Sequence, residues 1–178
     1  MRRADRQVTD PQEINQIIKT AKVLHLGLFD GNFPYVVPLH YGYEQENGVF
    51  VFFLHSAKDG HKLEQIRKNP HVCVELECEV SPIPGGDIPC RYGASFASVI
   101  GRGTAEIVGD EAEKIRGLSL LMKHQTGRDF EITDQMAASV AIIKIVVPDV
   151  TAKRRPKPGK STKQPPDPFK RSGGCLAF

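Results

Sequence analysis

Two turn dipeptides, Asp30-Gly31 and Asn47-Gly48, each stand between β-rich apolar runs, and they constrain this chain more than any other feature. Asp-Gly and Asn-Gly accept the positive φ angles of a two-residue hairpin at little cost, so each marks an antiparallel strand pair. The run 23–29 enters the first turn. The return run 33–43 carries Pro34 and Pro38. Proline cannot donate to a ladder, so this strand has an exposed side or a break near Pro38. The run 49–55 is almost wholly apolar, as expected of a strand covered on both faces.

Around these hairpins the period switches between two and 3.6. Residues 10–21 read as a helix, with Asp10 at the N-cap, Pro11 at the first helical position and Glu13 placed for a capping box. Ile14, Ile17, Ile18 and Ala21 give it one apolar face. A second helix opens at Ser56, taken as its cap with Asp59 three residues on, and Asn69-Pro70 stops it. A fourth strand spans 71–79 and a loop 81–90. A long strand follows over 96–108, with Gly101 and Gly103 as bend points. A helix over 110–125 and a last strand over 138–147, stopped by Pro148, complete the pattern. Six or so antiparallel strands with interspersed helices suit a small barrel or a sandwich.

The net charge of +3 hides an asymmetry. Residues 151–178 hold eight Lys/Arg against the single acid Asp167, and five of the thirteen prolines, which leaves residues 1–150 at −4. We therefore divide the chain into a folded domain, 1–150, and a basic Pro-rich extension, 151–178, too poor in apolar surface to offset its ordering entropy. The extension lacks interleaved aromatics, which argues against a nucleic-acid role and for a solvated arm. No apolar run reaches the roughly 18 residues of a membrane span. The charged start, Met1-Arg2-Arg3-Ala4-Asp5-Arg6, precedes no apolar segment of a leader, so the expected compartment is the cytoplasm. Cys73, Cys78, Cys90 and Cys175 form no C-x-x-C pair and are expected as reduced thiols.

The chemistry concentrates at residues 50–67. A buried strand ends at His55-Ser56 and gives way to a helix with Lys58, His61 and Lys62 in or near its first turn. Helix N-termini present unpaired N–H groups and favour anions, whereas cations belong at the other end. The lysines oppose the dipole unless a bound anion, such as a phosphate ester, offsets them. A solvated basic turn is the alternative, and the residues alone weigh the two about evenly. The six histidines show no metal-ligand spacing. His25, in an apolar strand, reads as a hydrogen-bonded core or rim histidine.

The string His55-Ser56-Ala57-Lys58-Asp59-Gly60-His61-Lys62-Leu63 resembles the Nim family, the 5-nitroimidazole-resistance-related flavoproteins of the pyridoxamine 5′-phosphate oxidase-like superfamily. So do Met1-Arg2-Arg3, the helix from Asp10, Phe33-Pro34-Tyr35-Val36-Val37-Pro38-Leu39, and Phe96-Ala97-Ser98-Val99-Ile100-Gly101-Arg102-Gly103-Thr104-Ala105-Glu106. The resemblance covers about residues 1–150. It implies a mainly β fold with flanking helices, an antiparallel split β-barrel, binding FMN at a homodimer interface. On that resemblance His55, Ser56 and Lys62, with Lys58 and His61, lie near the FMN phosphate. Val37, Pro38 and Leu39 lie near the isoalloxazine ring, and Ser98 is a further phosphate or ribityl contact. The family's second motif usually carries Arg where this chain has Ala97, which removes a bidentate donor. Arg91, Arg102 or a residue of the extension could stand in for it. The implied activity is transfer of electrons from a nicotinamide donor to a small organic acceptor. A haem protein using His25, His40, His55, His61 or His71 as axial ligand, and a non-catalytic flavin-binding regulator, are the alternatives.

Overall fold

The computed structural model describes residues 3–158. Its elements in order are β1 (Gln7–Val8), α1 (Pro11–Thr20), β2 (Val23–Asp30), β3 (Phe33–Glu46), β4 (Val49–Ser56) and α2 (His61–Lys68). They continue with β5 (His71–Ile83), β6 (Gly93–Ile107), α3 (Glu111–Thr126), α4 (Asp134–Ala138) and β7 (Ala141–Arg155). All pairings are antiparallel, in the order β1-β7-β4-β3-β2-β5-β6, and β6 pairs again with β7. Six strands thus close a ring, the split barrel expected from the sequence.

Closure depends on β7. One edge pairs with β4 over Ala141–Val147 and then with β1, while the other pairs with β6 as far as Arg155. The sequence places the end of this strand at Pro148, and the structure corrects that. The β6–β7 register shifts between Arg102 and Thr104, beside Pro148, so the missing N–H falls where the ladder is already interrupted. Residues 151–155, assigned to the extension by their charge, therefore belong to the barrel. Arg154 Nη1 donates to Glu13 at 2.6 Å and Nη2 to Glu79 at 2.8 Å. Residues 159–178, with Cys175 and most of the basic extension, lie outside the described residues.

The interior is filled from alternate positions of every long strand: Leu24 and Leu26, Phe52 and Leu54, Val74 and Leu76, Ile143 and Ile145, all fully buried. Two helices add to the same core from opposite ends. α1 contributes Ile17 and Ile18, and α2 contributes Leu63 and Ile66. The Asp10 side chain caps α1 by accepting from Gln12 N–H, but Glu13 pairs with Arg154 instead of closing a capping box. α3 covers the outer face of β4, where Val51 and Phe53 pack with Leu118 and Leu120, so β4 is buried on both sides as expected. α4 and β1 have no counterpart in the sequence reading.

Candidate functional site

The barrel splits where β3 and β4 part. They pair from Glu46↔Val49 to Tyr41↔Leu54 and no further. Beyond that point β4 continues through His55 and Ser56 along β7, opposite Ile142 and Ala141. β3 meanwhile keeps only β2 as partner over residues 33–40. Pro34 and Pro38 lie four residues apart, so they share an edge of the strand. Neither can donate, and a ladder tolerates them on its unpaired edge. The open edge of β3 therefore faces the split with its donors thinned. Val37 and Leu39 turn inward and pack on the core, and Pro38 is exposed on the outer face.

The other wall is the end of β4 and the start of α2. Ser56 is not a helix cap, contrary to the sequence reading; it is the last residue of β4, and α2 begins five residues later. Gly60 is the N-cap, with φ of +136°, and open space lies where a Cβ would stand. A glycine cap brings no side chain, so no side-chain oxygen occupies the first-turn N–H groups. Leu63 N–H and Glu64 N–H close on Gly60 O, and those of His61 and Lys62 precede that closure. Ser56 is 5% exposed and its Oγ has no hydrogen-bond partner among the described residues. An unpaired buried hydroxyl costs about 1–3 kcal/mol, which a ligand oxygen placed against it would recover. Lys58 and Lys62 have no carboxylate within ion-pair distance among the described residues. An orphan hydroxyl, an uncapped helix end and two unpaired ammonium groups together suit a phosphate ester.

The remaining residues singled out from sequence fall into three groups. His55 is exposed at the end of β4, beside Ser56. His61 Nε2 bonds Asp30 Oδ2 at 2.8 Å, and the ring stands edge-on to Tyr35 at 4.9 Å between centroids. It thus ties the start of α2 to the β2–β3 turn. Ser98 lies on β6 opposite Glu77 and Lys153, near the far end of β7 from Ser56 and Ala141. The twelve-residue step from Ala141 to Lys153 spans roughly 40 Å of strand. Within one chain Ser98 does not join the phosphate-sized turn.

Ala97 is fully buried and sits opposite Cys78 and Arg154. Directly opposed residues share a face, so the Arg154 side chain crosses the small Ala97 to reach Glu13 and Glu79. Its charge is committed to those two carboxylates. Arg102 is on the outer face, opposite Cys73. Burial pushes the Cys78 thiol up from its ordinary pKa.

One pair went unread in the sequence. His25 Nδ1 and Glu75 Oε2 are 2.9 Å apart across the β2–β5 ladder. Burial raises the Glu75 pKa, and the His25 bond works against that rise. Fifty residues separate the two, and only the strand order brings them together.

Residues 10–154 match the sequence model of the pyridoxamine 5′-phosphate oxidase family. The chain belongs to that family. Among solved structures it is similar to a candidate 5-nitroimidazole antibiotic resistance protein from Bacteroides thetaiotaomicron. That match has 30% identity and a TM-score of 0.71, over 83% of this chain and 86% of that one. The flavocytochrome Anf3 from Azotobacter vinelandii is 16% identical with a TM-score of 0.71, over 100% and 91% of the two chains. An FAD-binding protein from Mesorhizobium loti is 22% identical with a TM-score of 0.61, over 85% and 98%. The last two likenesses show the fold. No curated protein matches the chain. Among the described residues of this pyridoxamine 5′-phosphate oxidase family member, no helix is long and apolar enough to cross a membrane.

Proposed function

We propose that this chain is an FMN-binding oxidoreductase that holds the cofactor in the split between β3 and β4. The observation that carries it is the buried Ser56 Oγ, without a partner among the described residues, five residues before the uncapped start of α2. A terminal phosphate dianion would satisfy that hydroxyl, the open N–H groups and Lys58 and Lys62, which are unpaired among the described residues, at once. His61, fixed by Asp30, keeps the helix end at the mouth of the split. The open edge of β3, with Val37, Pro38 and Leu39, is the flat strand border against which an isoalloxazine ring would lie. FMN would supply redox chemistry between a nicotinamide donor and a small organic acceptor. The protein's part is to orient the ring, exclude water and neutralise the phosphate.

The same reading calls for a second copy. Phe29, Val36 and Ile100, on the outer face of the barrel, are all about half exposed or more. Apolar side chains gathered on one face mark an association surface. Ser98 lies on the β6 face shared with Ile100, so a homodimer across this surface is the route by which a second copy's Ser98 would approach the cofactor. The free thiols Cys73, Cys78 and Cys90 suit a reducing compartment such as the cytoplasm.

The test is an FMN titration of the wild type and Lys62→Ala. Losing charge-assisted hydrogen bonds worth about 1.5–3 kcal/mol weakens binding roughly ten- to a hundredfold. Lys62 has no ion-pair or hydrogen-bond partner among the described residues, so the unfolding midpoint should hold. Unchanged FMN affinity in Lys62→Ala would remove the phosphate from this turn.

A further inference from the structure

Where the C-terminal ends of α1 and α3 meet Tyr43 of β3, a pocket of about 640 Å³ opens. That volume falls within the ~300–1,000 Å³ of organic-ligand pockets. It is separate from both sites described above. None of Phe29, Val36 and Ile100 lines it, and neither does any residue of the turn between β4 and α2. Lys22, which lines the pocket, leads into β2, and Phe29 stands near the other end of that strand, roughly 20 Å away.

The lining carries three lysines, Lys19, Lys22 and Lys123, and among the described residues no carboxylate. Lysines suit the negative end of a helix, yet the carbonyls there are already taken. Ala21 O accepts from Tyr41 OH and His124 Nε2, Lys22 O from Gln125 Nε2, and Met122 O from Thr126 Oγ1. Lys22 Nζ donates to His124 O at 2.5 Å, which leaves its other two N–H groups over. Lys19 has neither an ion pair nor a side-chain hydrogen bond among the described residues. Lys123 pairs with Asp129 at 2.5 Å, but the two side chains are 52% and 82% exposed. So exposed a pair contributes about 1 kcal/mol or less, and a ligand carboxylate can replace it. Burial, and with it the charge of Lys22, hold the His124 pKa below its ordinary value against the Ala21 hydrogen bond, so the positive field reaches the pocket wall. Asn15 adds a neutral donor. Its Oδ1 accepts from Tyr43 OH at 3.0 Å, which orients the amide and leaves Nδ2 without a partner among the described residues.

Donors thus stand on two walls, Asn15 and Lys19 on α1 and Lys123 on α3, while Tyr43, Leu120 and the His124 ring supply apolar surface. Two cationic walls match two separated anionic ends better than one compact phosphate. We propose that this pocket binds a small dicarboxylate with a flat apolar body, one carboxylate on Lys19 and Asn15 and the other on Lys123. Lys22, between the two helix ends, adds charge to both. This binding does not rest on the flavin reading.

The experiment is isothermal titration calorimetry on the full-length protein, with and without added FMN. The probes are naphthalene-2,6-dicarboxylate, the monoacid 2-naphthoate and inorganic phosphate. The expected result is saturable binding of the diacid, at least tenfold tighter than the monoacid, whether or not FMN is present. Phosphate at equal concentration does not displace it. Lys19 and Lys123 are exposed, so Lys19→Met and Lys123→Met should fold as the wild type does, with the same unfolding midpoint. Each should cut the advantage of the diacid to about threefold or less, and Lys62→Ala should leave it intact. No saturable binding, equal affinity for diacid and monoacid, or no effect of either methionine variant overturns the proposal. So does displacement by phosphate, which would make the pocket a site for a compact anion. Loss of diacid binding in Lys62→Ala overturns it as well, by placing the probe in the turn before α2. If FMN fails to bind while the diacid is still discriminated through Lys19 and Lys123, the pocket stands and the flavin reading falls.

Discussion

His124 shows how one half-buried ring ties stability to pH. It lies 4.5 Å from the Tyr41 ring, and its Nε2 donates to Ala21 O at 2.9 Å. Burial lowers its pKa; the Ala21 hydrogen bond opposes that and Lys22 adds to it. The folded state therefore binds this proton less readily than the unfolded chain, whose histidine titrates near 6.5. Stability from this group is full above that value and falls as the pH drops through it. Urea midpoints at pH 7.5 and 5.5 should show a smaller acid loss in His124→Gln than in the wild type. Equal losses would mean that the ring takes up its proton without penalty. Other residues were legible to different depths. His25 is the hydrogen-bonded rim histidine expected from its apolar strand, but its partner Glu75 is set by strand order and left no local trace. His61 was read as a cofactor contact from its place in the motif, and the fold gives it Asp30 as an anchor.

At the scale of elements, helices and hairpins announced themselves where short-range chemistry decides. Asp10 caps α1 as its sequence suggests, and Asp110 caps α3. The turns at Asp30-Gly31 and Asn47-Gly48 join β2 to β3 and β3 to β4. The start of α2 was misread because Ser56 and Asp59 imitate a cap, while the ladder to β7 holds Ser56 in the strand. Contact between elements was invisible from sequence. A Cβ on Gly42 would stand 2.2 Å from Leu121 N, because α3 lies directly on the backbone of β3. Both sides of that contact are main chain, so no rotamer change relieves it. Gly42→Ala should displace α3 and lower stability by about 1–3 kcal/mol in urea unfolding. An unchanged midpoint would show that α3 slides on β3 freely.

At the scale of the molecule, strand number and hairpin turns pointed to a small antiparallel barrel or a sandwich, and the family resemblance selected the split barrel. They did not give its strand order or its closure. Closure depends on β7 running past Pro148, where a local breaker is overruled by a bulge that the long pairing with β6 absorbs. The split, in turn, depends on β3 outlasting its pairing with β4, and Pro38 was the sequence's one sign of it. We propose that this split holds a flavin between two copies of the chain. Size-exclusion chromatography with light scattering and in-line visible absorbance tests both halves in one run. The expected result is a species with the mass of two chains carrying a two-band flavin spectrum, with FMN identified by mass after release. A colourless single-chain species that takes up no FMN on addition would contradict it.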